Sequence, residues 1–162
     1  MATANTFTKK QRRVREHSGA PYGNVWTNTY RFTTNSSGQP EDTDTDGAAF
    51  ESGDTIRLGV IPAGTKLLDC ITVISDAFSA TATAKVGFAY VDGVDSAAVP
   101  QDDDYFVAAL ALSSTGIARK TTITPPVTLP KDAWLTLVGA AADQAAAGIV
   151  DITVIGQMVG AN

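Results

Sequence analysis

Histidine and cysteine are almost missing from this sequence: His17 and Cys70 are single occurrences in 162 residues. One cysteine excludes an internal disulfide and a thiolate metal cluster, and within the apolar run LLDCITVI it reads as a small buried hydrophobe. One histidine, placed in a basic N-terminal stretch, leaves a Ser/His/Asp or Cys/His arrangement with its base on a tail. No G-x-S-x-G, H-E-x-x-H, P-loop or G-x-G-x-x-G pattern occurs. The carboxylates sit mostly in loops, without the clustered aromatics that sugar subsites use. The chain is read as a non-enzyme with no cofactor.

Long apolar runs are missing too. No stretch approaches the roughly 20 consecutive apolar residues of a membrane helix, so no membrane partner is expected. The opening MATANTFTKKQRRVREHSG lacks the apolar core, about 7 to 15 residues long, of a secretory signal. Synthesis and assembly in a cell's cytoplasm are expected.

What is present is an uneven distribution of charge. Residues 1–17 carry Lys9, Lys10, Arg12, Arg13 and Arg15 against Glu16, net +4, which leaves −9 for residues 18–162. We divide the chain into a basic N-terminal arm, 1–20, and one β-sandwich domain, 21–162, a length that can bury a sizeable core. Any helix begun at Thr8 would stop at Gly19 and Pro21 and is too short to hold alone. Phe7 and Val14 are apolar anchors among the cations. The seven residues Phe7, Lys9, Lys10, Arg12, Arg13, Val14 and Arg15 are the candidate partner-binding set. Clustered cations suit phosphates, but an acidic body repels a polyanion and no stacking aromatics accompany the arm. An acidic protein surface, on another copy or on a larger assembly, is the better partner, and direct nucleic-acid binding is not expected.

The body alternates with period two. NVWTNTYRF puts Trp26, Tyr30 and Phe32 on one face. NSSGQPEDTDTDGAAFESG reads as a long surface loop. TIRLGV places Ile56, Leu58 and Val60 on one face before the corner PAGT. LLDCITVIS is apolar on both faces, with Leu68, Cys70 and Ile74 opposing Leu67, Ile71 and Val73, as in a strand covered twice. SATATAKVGFAYVDG points Ala80, Ala82, Ala84, Val86, Phe88 and Tyr90 one way. YFVAALALSS fits a helix or a strand. Trp134 to Val138 centres another strand, and IVDITVIGQMV is the last. Seven or eight short strands with Gly/Pro corners and little helical periodicity give an all-β, two-sheet antiparallel β-sandwich.

One motif has metal-ligand spacing. In DTDTDG, Asp42, Asp44, Asp46 and Gly47 occupy positions 1, 3, 5 and 6 of a calcium loop, but position 12 is Gly53 instead of glutamate. Glu51 or Asp54 would have to complete it, and a solvated acidic loop is the plainer reading. The run Asp102, Asp103, Asp104 reads as a solvated turn.

Four further stretches carry a resemblance: RLGVIPAG at 57–64, VGFAY at 86–90, DYFVAA at 104–109, and AGIVDITV at 147–154. Together they span about residues 54–155 and resemble the head decoration, or cement, proteins of tailed bacteriophages and related β-sandwich virion components. That resemblance implies a jelly-roll-like domain on the outer surface of a capsid, bridging neighbouring subunits of the major capsid protein, commonly as a homotrimer. Other roles stay open: a head-fibre base, a tail or neck protein, or a calcium-dependent or lectin-like binding module.

Overall fold

The computed structural model describes residues 3–5, 24–41 and 47–159. Among them the chain forms strands and no helix. The strands are β1 (Thr3–Asn5), β2 (Val25–Thr34), β3 (Thr55–Ile61), β4 (Thr65–Asp76), β5 (Thr83–Tyr90), β6 (Asp102–Ala111), β7 (Gly116–Arg119), β8 (Ala133–Gly139) and β9 (Gly148–Met158).

Four antiparallel pairs define the winding: β2 with β9, β3 with β8, β4 with β7, and β5 with β6. They are the successive rungs of one long hairpin whose tip is the loop 91–101. Rolled up, the hairpin makes β4 pair with β9 and β5 with β8. The sheet orders become β2-β9-β4-β7 and β1-β3-β8-β5-β6, and β2 to β9 form an eight-stranded jelly roll. The all-β sandwich expected from alternation is therefore observed. β1 is the exception to antiparallel pairing. It adds parallel to the β3 edge, Thr3 opposite Thr55 and Asn5 opposite Arg57, within the stretch assigned to the arm.

Inward side chains from both sheets form one core with two aromatic clusters. At one end Phe32 stacks on Phe78 with centroids 5.9 Å apart and meets Phe50 edge-on at 5.2 Å. At the other, Phe88 contacts Tyr90 and Tyr105 edge-on, and Tyr105 contacts Phe106. Each buried ring is worth roughly 1.5–3 kcal/mol relative to exposure. Two glycines make room for rings. A Cβ on Gly148 would lie 2.4 Å from the Phe78 ring, and one on Gly59 2.3 Å from Tyr30, whose hydroxyl donates to the Val60 carbonyl at 3.1 Å.

Bulges explain where the alternation misleads. The β3 register shifts between Arg57 and Gly59, so Ile56 and Leu58 face the core and the inward set resumes at Gly59 and Ile61, leaving Val60 half-exposed. A bulge between Leu67 and Asp69 buries Leu67 with Cys70 and Ile74 and turns Leu68 outward. One extra residue reverses the facing of everything before it. Ala80 lies exposed in the turn before β5, whereas Ala82, Ala84, Val86, Phe88 and Tyr90 are buried as expected. YFVAALALSS resolves as strand, in β6. The loop after β2 is not wholly superficial: Phe50 is in the core, and Thr34 bridges to Pro40.

Candidate docking surfaces

The arm candidates Phe7, Lys9, Lys10, Arg12, Arg13, Val14 and Arg15 lie outside the described residues, as do Asp42, Asp44 and Asp46 of the calcium-loop motif. Of the two acids that would complete that loop, Glu51 is exposed, and Asp54 accepts the Glu51 backbone N–H at 3.0 Å. Cys70 is fully buried, and burial pushes its thiol up to about 12. A thiol so far from ionisation is a packing group, not a nucleophile.

Among the described residues, two outer faces and a pocket are surfaces with distinct chemistry. On the β2-β9-β4-β7 sheet the outward row is open. Val73 lies opposite Ile117 on one side and Asp151 on the other, Ile71 opposite Arg119 and Thr153, and Asp69 opposite Ile155. Ile117 is 74% exposed, and Ile71, Val73, Ile149 and Ile155 are half-buried. Polar groups pair across the rows. Arg31 Nε and Nη2 each reach Asp151 at 2.8 Å, the Thr29 and Thr153 hydroxyls meet at 2.8 Å, and Arg119 bonds Asp69. Partial burial works against ionisation of Asp69, but hydrogen bonds from Arg119 and the Cys70 N–H hold it below the usual carboxylate range. The expectation of apolar residues on both faces of β4 is met by Ile71 and Val73, side by side with charge.

On the β3-β8-β5-β6 sheet the chain covers its own outer side at Gly87. Between Val86 and Phe88 the β6 partner jumps from Val107 to Asp102, and the extra residues fold over β5. A Cβ on Gly87 would sit 2.1 Å from the Asp102 carbonyl oxygen, so only glycine lets the segment cross there. Opposite Gly87 on β8, Thr136 is 2% exposed although it points away from the core. Its hydroxyl has no hydrogen-bond partner among the described residues. The aspartates expected in a turn therefore open a strand instead. Their carboxylates lie within 4.8 Å of one another. Lys85 Nζ reaches Asp103 at 3.1 Å, and a hydrogen bond with Asp102, then burial, raise Asp104 above its usual value.

Beside this strand, at the hairpin tip, lies a pocket of about 310 Å³. Phe88, Val99, Pro100, Tyr105, Pro125 and Val127 make it apolar, with Gln101, Asp102 and Thr124 as its polar members. The Tyr105 hydroxyl donates to the Pro125 carbonyl at 2.9 Å and fixes the 120–128 loop against β6. Burial pushes the Tyr105 phenol up and the Lys120 amine down; Lys120 Nζ stands 4.2 Å from the Tyr105 ring centroid. The pocket was not foreseen, because its walls come from three separate stretches. The two prolines and TPPVTLP were the only local signal.

No protein-family model matches the chain, and no curated protein sequence is significantly similar to it. Solved structures do share its fold. A chain in the capsid of Ralstonia phage GP4 superposes with a TM-score of 0.57 at 16% identity, covering 92% of this chain and 94% of that one. A chain in the cyanophage Pam1 capsid asymmetric unit gives 0.55 at 15% identity, covering 90% and 95%. The likeness is one of fold, and it runs nearly end to end in both chains.

Proposed function

We propose that this chain is a virion structural protein that binds the outer surface of a phage capsid and bridges neighbouring subunits of the major capsid protein. One observation carries the reading: the jelly roll matches, over nearly the whole length of both chains, chains in two phage capsid structures. Bridging needs contact area, not chemistry. A specific interface buries roughly 1,200–2,000 Å², and many weak contacts on one particle act together. The open face around Ile71, Val73 and Ile117 suits the contact with the head, and the acidic exterior suits solubility on a crowded particle. The chain acts as a homotrimer, with Phe7, Lys9, Lys10, Arg12, Arg13, Val14 and Arg15 as its protein-docking arm. It acts without catalysis or cofactor.

The test is sedimentation of heads assembled without this chain after addition of purified protein. Full-length protein is expected to travel with the heads, and a form with the five arm cations made neutral to bind less. Protein left at the top of the gradient would defeat the proposal.

A further inference from the structure

The pocket at the hairpin tip and the arm are complementary in two respects. The pocket's walls are aromatic and proline-rich, and Val91 and Val94 are exposed in the adjoining loop, Val94 at 60%. Around it stand Asp92, Asp95, Asp102, Asp103 and Asp104; of the cations, Lys85 and Lys131 are committed through ion pairs to Asp103 and Asp92, and Lys120 stands against the Tyr105 ring. The arm offers one aromatic ring, Phe7, followed by Lys9, Lys10, Arg12 and Arg13. An aromatic anchor in an apolar pocket with opposite charge at its rim is the arrangement that gives protein interfaces their affinity and their register.

The arm of the same chain cannot bring Phe7 there while β1 is docked. β1 lies at one edge of the five-stranded sheet and β6 at the other. Four strand spacings separate them, about 19 Å at roughly 4.8 Å each. Phe7 follows Asn5 by two residues, so its Cα stays within about 7 Å of the end of β1. We infer that the pocket receives Phe7 of a second copy of this chain, with the neighbour's arm cations lying along the Asp102 to Asp104 strand. This joins two different surfaces, the β1 edge of one copy and the β6 side of the next. Such a head-to-tail contact closes into a ring when the rotation permits, so the inference rests on the homotrimer reading and supplies its joint.

Solution mass by size exclusion with light scattering, in the absence of heads, separates this inference from the capsid reading. Wild-type protein forms a ring in low salt and falls to one chain in high salt. Phe7→Ala weakens self-association about thirtyfold, the loss typical of a buried aromatic anchor. A variant with Lys9→Glu, Lys10→Glu, Arg12→Glu and Arg13→Glu, and another with Asp103→Lys and Asp104→Lys, are each single chains that still unfold cooperatively. Mixed, they associate, because the reversed arm of one meets the reversed rim of the other. A monomeric wild type, a Phe7→Ala protein that associates normally, charge variants that keep the ring when alone, or a mixture that stays monomeric would each overturn it.

Discussion

The two sheets present opposite solutions to the same problem of what lies on a sandwich's outer side. On the four-stranded sheet the outward row of β4, β9 and β7 stays open, with isoleucines between the Arg31–Asp151 and Arg119–Asp69 pairs. On the five-stranded sheet three extra residues of β6 cross over Gly87, and Thr136 opposite it is buried, while Thr55, Arg57, Trp134 and Val138 stay half-buried. A stretch covered by its own chain is finished, whereas an open apolar row is available to another one. The first sets stability, and the second is free to set function.

Substitutions should expose that contrast in descending order. Phe88→Ala, beneath the covered sheet and fully buried, is expected to cost about 3–5 kcal/mol in denaturant unfolding. Gly87→Ala brings a Cβ against backbone, not against a movable side chain, and should cost about 1–3 kcal/mol. If it costs nothing, the crossing segment is not packed as described. On the open face, Arg31 is mostly exposed, and a double-mutant cycle of Arg31→Ala with Asp151→Ala should return about 0.2–1 kcal/mol. Ile117→Asp should change unfolding by less than about 0.5 kcal/mol yet abolish co-sedimentation with heads. A stable variant that still binds would remove this face from the proposed contact.

The acid side of the pH profile sharpens the comparison further. Asp69, on the open face, is held below its ordinary value, so its contribution is present above the unfolded carboxylate pKa and is lost as pH falls through the lower folded one. Asp104 is shifted the other way. An acid raised in the folded state destabilises it at neutral pH, and the penalty fades as pH falls through the raised folded value and is gone below the unfolded one. Asp104→Asn should therefore raise the melting temperature at pH 7 and have no effect near pH 3, while Asp69→Asn lowers it at pH 7. Melting curves of the two variants at both pH values check the signs.

Most of the architecture was legible because most strands obey period two without interruption: Tyr30 and Phe32 in β2, Ala82 to Tyr90 in β5, and Val150, Ile152 and Val154 in β9 are buried as their alternation requires. Misplaced residues cluster at bulges. Leu68 and Val60 sit beside register shifts that cost one residue each, and a bulge leaves no compositional mark beyond Gly59. Gln144 was illegible for a different reason. It is buried in an alanine run, where its N–H donates to the Phe50 carbonyl at 2.8 Å and its Oε1 accepts the Ser79 N–H at 3.3 Å. Its value comes from tying three loops together, which only the fold brings close. The pocket was hidden likewise, whereas the charge asymmetry that suggests its occupant was plain from the first 17 residues.

The most direct test is an electron cryomicroscopy map of heads incubated with the full-length chain. The account predicts added density on the outer surface, repeated at equivalent lattice positions, into which this jelly roll fits with its β2-β9-β4-β7 face toward the shell. Heads that remain bare at saturating protein, or density confined to the tail or neck, would contradict it.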